Sequence, residues 1–387
     1  MSASTGTFTA APSASKRMIS LDILRGITIG FMIMVNNNGD WGHSWWFMEH
    51  SEWNGLTPTD LVFPTFLFVV GVSLVFSFAS RLERHATRSS LMRHVVQRAA
   101  IIFLLGLLFN ALPFFPIHDL RIYGVLQRIA LCYLAVGLFY IWKPGVRGLA
   151  VLTAVCLIGY WILMRWVPVP GFGIPGRDIP LLDPNANLAA WLDRHLMAGS
   201  HLYEKTRDPE GLLSTMPALA TTLLGILTGI WLRTRRSMES KALGLAAFAI
   251  GCLATGYVWS IWFPLNKKLW TSSYVLVSAG WSLCAFAILF WCVEVKGWRG
   301  RWTWPWLVLG MNAIAAYCFA ELLGICFWAI RWYPGGKLMN PQLFIFNHFF
   351  IPVGNIYLAS FLYAVWYALI CFIPMWLLYR KRIFLKI

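Results

Sequence analysis

From residue 19 onward the chain alternates long apolar runs with short polar breaks. The runs fall at roughly 19–38, 59–80, 94–112, 121–142, 148–166, 214–232, 242–262, 273–293, 303–325 and 353–378. At a helical rise of about 1.5 Å per residue, a run of about 20 apolar residues matches the hydrocarbon thickness of a bilayer. The pattern predicts an all-α polytopic membrane protein with about ten transmembrane helices. Two stretches break the rhythm. Residues 1–17 are rich in Ser, Thr and Ala and read as a disordered tail. Residues 167–213 form a long Pro- and Gly-containing loop, too short for a domain of its own but long enough to cover a site. Residues 18–387 are then a single transmembrane domain.

Composition agrees: 58% of the 387 residues are hydrophobic and 12% are charged, which excludes a soluble domain of this size. The net charge of +16 would suggest a polyanionic partner, but its distribution gives another reason. One set of loops, shared with both termini, carries 19 Lys and Arg with four acids; the opposite set carries ten with eleven acids. By the positive-inside rule both termini are cytoplasmic, and no nucleic-acid partner is needed. The bilayer is the partner implied, and compact loops point to a bacterial inner (cytoplasmic) membrane. The first run lacks a signal-peptidase-like site and reads as a retained span. All eight cysteines lie within apolar runs, and neither CxxC nor HExxH occurs, so disulfides and a metal site are not expected.

The most informative stretch is Val35–Gly71, a Trp-rich polar hairpin between the first two runs. It concentrates Asn36, Asn37, Asn38, Asp40, His43, Glu49, His50, Glu52, Asn54 and Asp60. A plain turn needs a few small residues; this one repeats amide and titratable groups beside aromatics. Polar groups also enter the spans, where they are costly and functional candidates by default. Asp22 and Arg25, three apart, can pair on one face, and eleven residues bring Arg25 back onto the face of Asn36. Gly26 and Gly30 would let another helix approach closely. Arg128 lies seven residues after Arg121 on the same predicted face, with Gln127 beside it; pairing of Arg128 with Glu321 is the structural alternative. Asn312 and Glu321 are nine apart, on opposite sides of a regular helix, so they can share a cavity only across a break.

Read together, SLDILRG, VNN, HSEWNGLTPTDLVFPTFLFVVG, RIYGVLQR, DPEGLLST, PLNKKLWTSSYV and LGMNAIAAY occur in an order that resembles the heparan-α-glucosaminide N-acetyltransferase family, in a short bacterial form. The resemblance implies an integral membrane acyltransferase that takes acetyl from cytoplasmic acetyl-CoA. It delivers the group to the amine of a glucosamine-type sugar on the far side. His50 matches the family's catalytic histidine, and the VN at the end of the first run matches its active-site asparagine, which leaves Asn36 and Asn37 in play. The family's N-terminal lumenal domain is not matched, so a free amino sugar or small fragment is the expected acceptor rather than heparan sulfate. A homodimer is compatible with this reading.

The residue chemistry is consistent with amide formation. Histidine titrates near neutrality and suits a general base or transient acetyl acceptor. An asparagine amide can stabilise an oxyanion. Trp53, Asn54, Asp60 and Glu321 offer a stacking face, a polar contact and carboxylates for the acceptor. Arg25, Gln127 and Arg128 offer donors for CoA. Against this stands a transporter that uses the intramembrane Arg and Glu as a path, or an O-acyltransferase acting on a surface polysaccharide. Acetyl-CoA turnover with an amine against a hydroxyl-only sugar separates them.

Overall fold

The computed structural model describes residues 18–385, so the tail expected over 1–17 lies outside the described residues. The described chain is helical throughout, with three isolated bridges in loops and no named strand. The principal helices are α1 (Ile19–Val35), α2 (Val62–Glu83), α3 (Arg88–Ala111), α4 (Val125–Ile141), α5 (Gly145–Trp166) and the short α6 (Leu188–Leu196). Then come α7 (Leu212–Leu232), α8 (Met238–Trp259), α9 (Ser272–Phe290), α10 (Trp304–Met311), α11 (Ala313–Ala329), the short α12 (Pro341–Ile345) and α13 (Ile356–Arg380). Every predicted apolar run carries a helix. Seven helices are long and apolar enough to cross a bilayer, and α10 with α11 would form an eighth span bent by 73°. α1 and α4, of 17 residues each, occupy two more predicted runs. The protein is an all-α polytopic membrane protein.

The bend in the α10–α11 pair sits at Asn312, where the dihedrals leave the helical region (φ −125°, ψ 37°). The break that Asn312 and Glu321 would need to share a cavity therefore exists, but Asn312 uses its side chain elsewhere. Its amide donates to the Ile383 carbonyl at 3.2 Å and its oxygen accepts from the Leu385 N–H at 3.0 Å. A buried Asn thus satisfies itself by clasping the chain that follows α13.

One predicted helix start is corrected. RIYG, expected as the first turn of the fourth span, is extended, and α4 begins at Val125. The Asn110 amide donates to the carbonyls of Arg121 and Tyr123 at 2.8 and 3.0 Å, which offers that backbone an alternative to the helix ladder. Arg121 and Arg128 therefore do not share a helix face, and Arg128 falls in the first turn of α4.

α1 is central, packing against α2, α9, α10, α11 and α13. Asp22 and Arg25 pair at 3.0 Å as the spacing implied. Gly26 is the point of closest approach: a Cβ there would lie 1.8 Å from the Trp306 carbonyl oxygen, and one at Gly310 would lie 1.9 Å from the Asp22 carbonyl oxygen. In a membrane, where burial of apolar surface gives little drive between helices, such backbone contact is how helices gain packing. Gly30 has more room, meeting Leu309 and Trp306 side chains at 3.3 and 3.4 Å. Gly26→Leu is expected to separate α1 from α10 and to cost at least about 1–3 kcal/mol. Gly251→Ala, where nothing lies within 4 Å, is expected to be neutral; thermal unfolding of the purified proteins in detergent compares the two.

Candidate active site

The hairpin between α1 and α2 is wound around one carboxylate. Asp60 is fully buried. Its Oδ2 accepts the backbone N–H groups of Ser51 (3.1 Å) and Thr57 (3.0 Å), while Oδ1 lies 2.8 Å from His50 Nδ1. The Thr57 hydroxyl closes the loop by donating to the Glu49 carbonyl at 2.6 Å, and Gly55, at φ +129°, makes the turn between them. Tyr274 of α9 donates to the Asp60 carbonyl at 2.5 Å. His50 is therefore oriented from behind. A buried carboxylate can only accept, so Nδ1 carries the proton and Nε2 is left with its lone pair.

Lys267 lies against the same ring. Nζ lies 3.0 Å from Nε2 and 2.8 Å from Nδ1 of His50, and 3.7 Å from Asp60 Oδ1. Lys267 sits in the turn between α8 and α9, which Asn266 builds. Its side-chain oxygen accepts the Leu269 N–H at 2.8 Å and its amide donates to Asn54 Oδ1 at 3.1 Å. The Gly55 N–H donates to the Leu265 carbonyl at 2.9 Å, so this turn and the hairpin are stitched together. Trp270, held at φ +53° with its indole N–H on Thr221, packs edge-on to Phe63 beneath them.

The His50 ring keeps 46% of its surface open. Burial of the remainder lowers its pKa, the Asp60 hydrogen bond opposes that, and the Lys267 charge lowers it further; the net direction is below the ordinary histidine value. Burial likewise lowers Lys267, against the pull of Asp60 and Glu210. Glu210 comes from the long loop and bonds Arg121, which also forks onto Asp208 at 2.7 and 2.9 Å.

Asn36 and Asn37 share a cleft of about 290 Å³ with Glu321, and Gly324 and Trp328 of α11 and the Leu112–Pro113 segment also line it. Asn37 donates to the Ile33 carbonyl of its own helix at 2.8 Å, whereas Asn36 is exposed. Asn38 is turned into the core, its carbonyl bonded by Gln342. Tyr317, one turn before Glu321 on α11, hydrogen-bonds the Glu321 side chain.

The remaining candidates are placed differently. Trp53 donates its indole N–H to the Leu182 carbonyl at 2.8 Å and carries the Arg207 guanidinium on its face at 4.6 Å, so that face is occupied by the long loop. Arg128 is buried under the site, bonded to the Gly211 carbonyl at 3.0 Å and to the Ser214 hydroxyl, with its guanidinium 5.2 Å from the Trp270 ring. The alternative pairing of Arg128 with Glu321 is not formed among the described residues. Gln127 fills the space left by Gly106 and Gly124. Arg25 lies toward the other end of α1, where it bonds Asp22, Ser73 and the Gly310 carbonyl. His43 is tied to Asp40 at 2.8 Å, and His195, His201 and His348 bond or stack away from the His50 cluster. Sequence reasoning did not single out Lys267, Glu210 or Tyr317 as site residues. Each lies inside a segment that carried the family resemblance, and that was the available signal.

Comparisons with known proteins agree with these segments. The family described as "Heparan-alpha-glucosaminide N-acetyltransferase, catalytic" matches residues 17–258. Two curated relatives, both named heparan-alpha-glucosaminide N-acetyltransferase, align over nearly all of the chain. The Mus musculus protein is 30% identical over 97% of this chain, and the Homo sapiens protein 29% over 96%. The alignments cover 61% and 60% of those proteins, so the chain spans about three-fifths of their length. The hairpin that carries His50 and Asp60 lies within the matched region, and the chain belongs to the heparan-α-glucosaminide N-acetyltransferase family.

Proposed function

We propose that the protein is a transmembrane N-acetyltransferase that moves acetyl from cytoplasmic acetyl-CoA to the amine of a glucosamine-type sugar across the membrane. The observation that carries this reading is the His50–Asp60 pair: a histidine fixed in one tautomer by a buried carboxylate, open to a site, and biased toward its neutral form. Amide formation from a thioester needs a neutral amine, a group to take its proton and a donor for the developing oxyanion. In the proposed reaction His50 Nε2 takes the proton, or first receives the acetyl group, while Nδ1–H stays on Asp60. The C–S bond of the thioester breaks, the C–N bond forms, and the proton passes to the departing thiolate.

Asn36, exposed in the cleft, supplies an amide N–H, with Asn37 beside it. Glu321 faces the amino sugar. Asn54 and the open parts of Trp53 contribute the rim, and Asp60 acts through His50 rather than on the sugar. Cations toward the Arg25 end of α1 meet the CoA phosphates, while Gln127 and Arg128 act from the His50 end, beneath the acyl site. The positive-inside distribution of Lys and Arg supports this orientation, with the site in the periplasm or lumen.

Two results are expected. Purified protein releases CoA from acetyl-CoA with glucosamine but not with glucose, and His50→Ala lowers that rate by roughly 10²–10⁴-fold while still binding acetyl-CoA; full activity in the variant would exclude His50 as base or acceptor. The second result concerns pH. A lowered pKa means that His50 stays neutral as the pH falls past the usual histidine range, and that protonation switches it off only below it. Lys267→Met removes a neighbouring cation, so the titration midpoint of His50 should rise, on the order of one unit, whereas Lys267→Arg should hold it. Carbethoxylation of His50 followed by mass spectrometry against pH reads this independently of turnover.

A further inference from the structure

A second cavity lies at the opposite end of the bundle from His50. α2 begins beside Asp60 and runs away from it. The cavity, of about 380 Å³, is framed by the C-terminal turns of α2, α4 and α7 and the N-terminal turns of α3 and α5. Its walls are apolar, with Phe78, Ala79, Leu91, Ile141 and Leu149 all buried. Its cationic lining residues are Arg88, Lys143 and Arg233, all exposed, one from each of three separate helix ends. One acid approaches them: Glu83, whose carboxylate is 3.9 Å from Arg233.

The crevice falls in the size range of ligand pockets. An apolar chamber with three cations in its lining fits an amphiphile with an anionic head. The bilayer itself is the source at hand. The two helices whose first turns frame the cavity, α3 and α5, are only 28% buried along their spans, and they expose Met92, Val96, Val146 and Val151. A free nucleotide phosphate would find the cations but no use for the apolar chamber, which has no amide or carboxylate side chain in its lining.

We infer that this crevice binds an anionic phospholipid, with the headgroup phosphate held by Arg88, Lys143 and Arg233 and an acyl chain in the chamber. Basic pockets between spans recognise lipid headgroups through such charge-assisted bonds. The site is independent of the acetyl-transfer chemistry and stands or falls without it.

The test is native mass spectrometry of the full-length protein taken from bilayers of equal phosphatidylglycerol and phosphatidylcholine. Wild type should retain phosphatidylglycerol in preference. Replacing Arg88, Lys143 and Arg233 together by Gln should lower that preference roughly five-fold or more, and Lys143→Gln alone, at an exposed turn, should lower it in part. Ala79→Leu should expel the lipid with every cation in place. Removing the same charge from the α7–α8 turn and the first turn of α8, by Gln at Arg235, Arg236 and Lys241, should leave retention unchanged. An equal loss in that control, or retention in the Ala79 variant, would reduce the effect to bulk charge and overturn the site. Displacement of phosphatidylglycerol by added CoA would assign the cavity to a nucleotide and overturn the lipid.

Discussion

The burial of the Asp60 carboxylate is the constraint from which the site follows. A carboxylate withdrawn from water without partners costs several kcal/mol or neutralises itself. Here the backbone of its own hairpin supplies two N–H donors, from Ser51 and Thr57, and His50 supplies a third. The loop is therefore folded by the same interaction that aims the imidazole. Lys267 completes the arrangement from a turn more than 200 residues away, brought in by Asn266 and the Asn54 contact. A loop histidine is ordinarily a solvated residue free to rotate; this one has a fixed tautomer, a fixed face and a neighbouring cation that disfavours its protonation.

α1 ties this end of the molecule to the other. Arg25 and Asn36 lie along one helix, with Gly26 pressed against the backbone of α10 between them in sequence. Close backbone contact makes α1 a rigid spacer rather than a mobile one, because a packed glycine crossing leaves little room for sliding. In the proposed reaction this matters: donor phosphates and acyl group engage opposite ends of the same element, so the distance between them is set by the helix. The Asn312 break serves a related purpose. It lets α10 lie against α1 at the glycine crossing while α11 swings by 73° to bring Glu321 and Trp328 to the Asn36 cleft.

What was legible in the sequence was what a bilayer or a helix repeat dictates. The apolar runs became helices because a bilayer admits little else, the Asp22–Arg25 pair formed because three residues make less than one turn, and the glycine approach occurred where small residues recur. What was not legible depended on long-range partners. RIYG adjoins an apolar run and reads as its first turn, yet Asn110 and the acids of the distant DPEG segment hold it extended. Trp53 looks like a sugar platform until Arg207 is placed on it. Lys267 reads as one of two loop cations; only the fold shows that it, and not Lys268, reaches the imidazole, while Lys268 turns to Glu204. Alternation of polarity reports the environment of an element, and it is silent on which loops meet.

The position of Lys267 also bears on how an acceptor would be chosen. Its ammonium lies against the imidazole, 2.8 Å from Nδ1 and 3.0 Å from Nε2, beside the nitrogen that the proposed base would use. In the proposed reaction an incoming amino sugar arrives mostly as an ammonium ion, the same kind of cation, and would replace Lys267 beside His50 with little loss of hydrogen bonding. Lys267 would then turn toward Asp60 and Glu210, whose charges already act on it. A neutral hydroxyl offers a weaker donor for the same exchange and leaves the displaced cation less well compensated. In the proposed reaction a preference for amines over alcohols would then rest on an exchange of like cations beside the imidazole, before any difference in nucleophilicity between the two acceptors is counted.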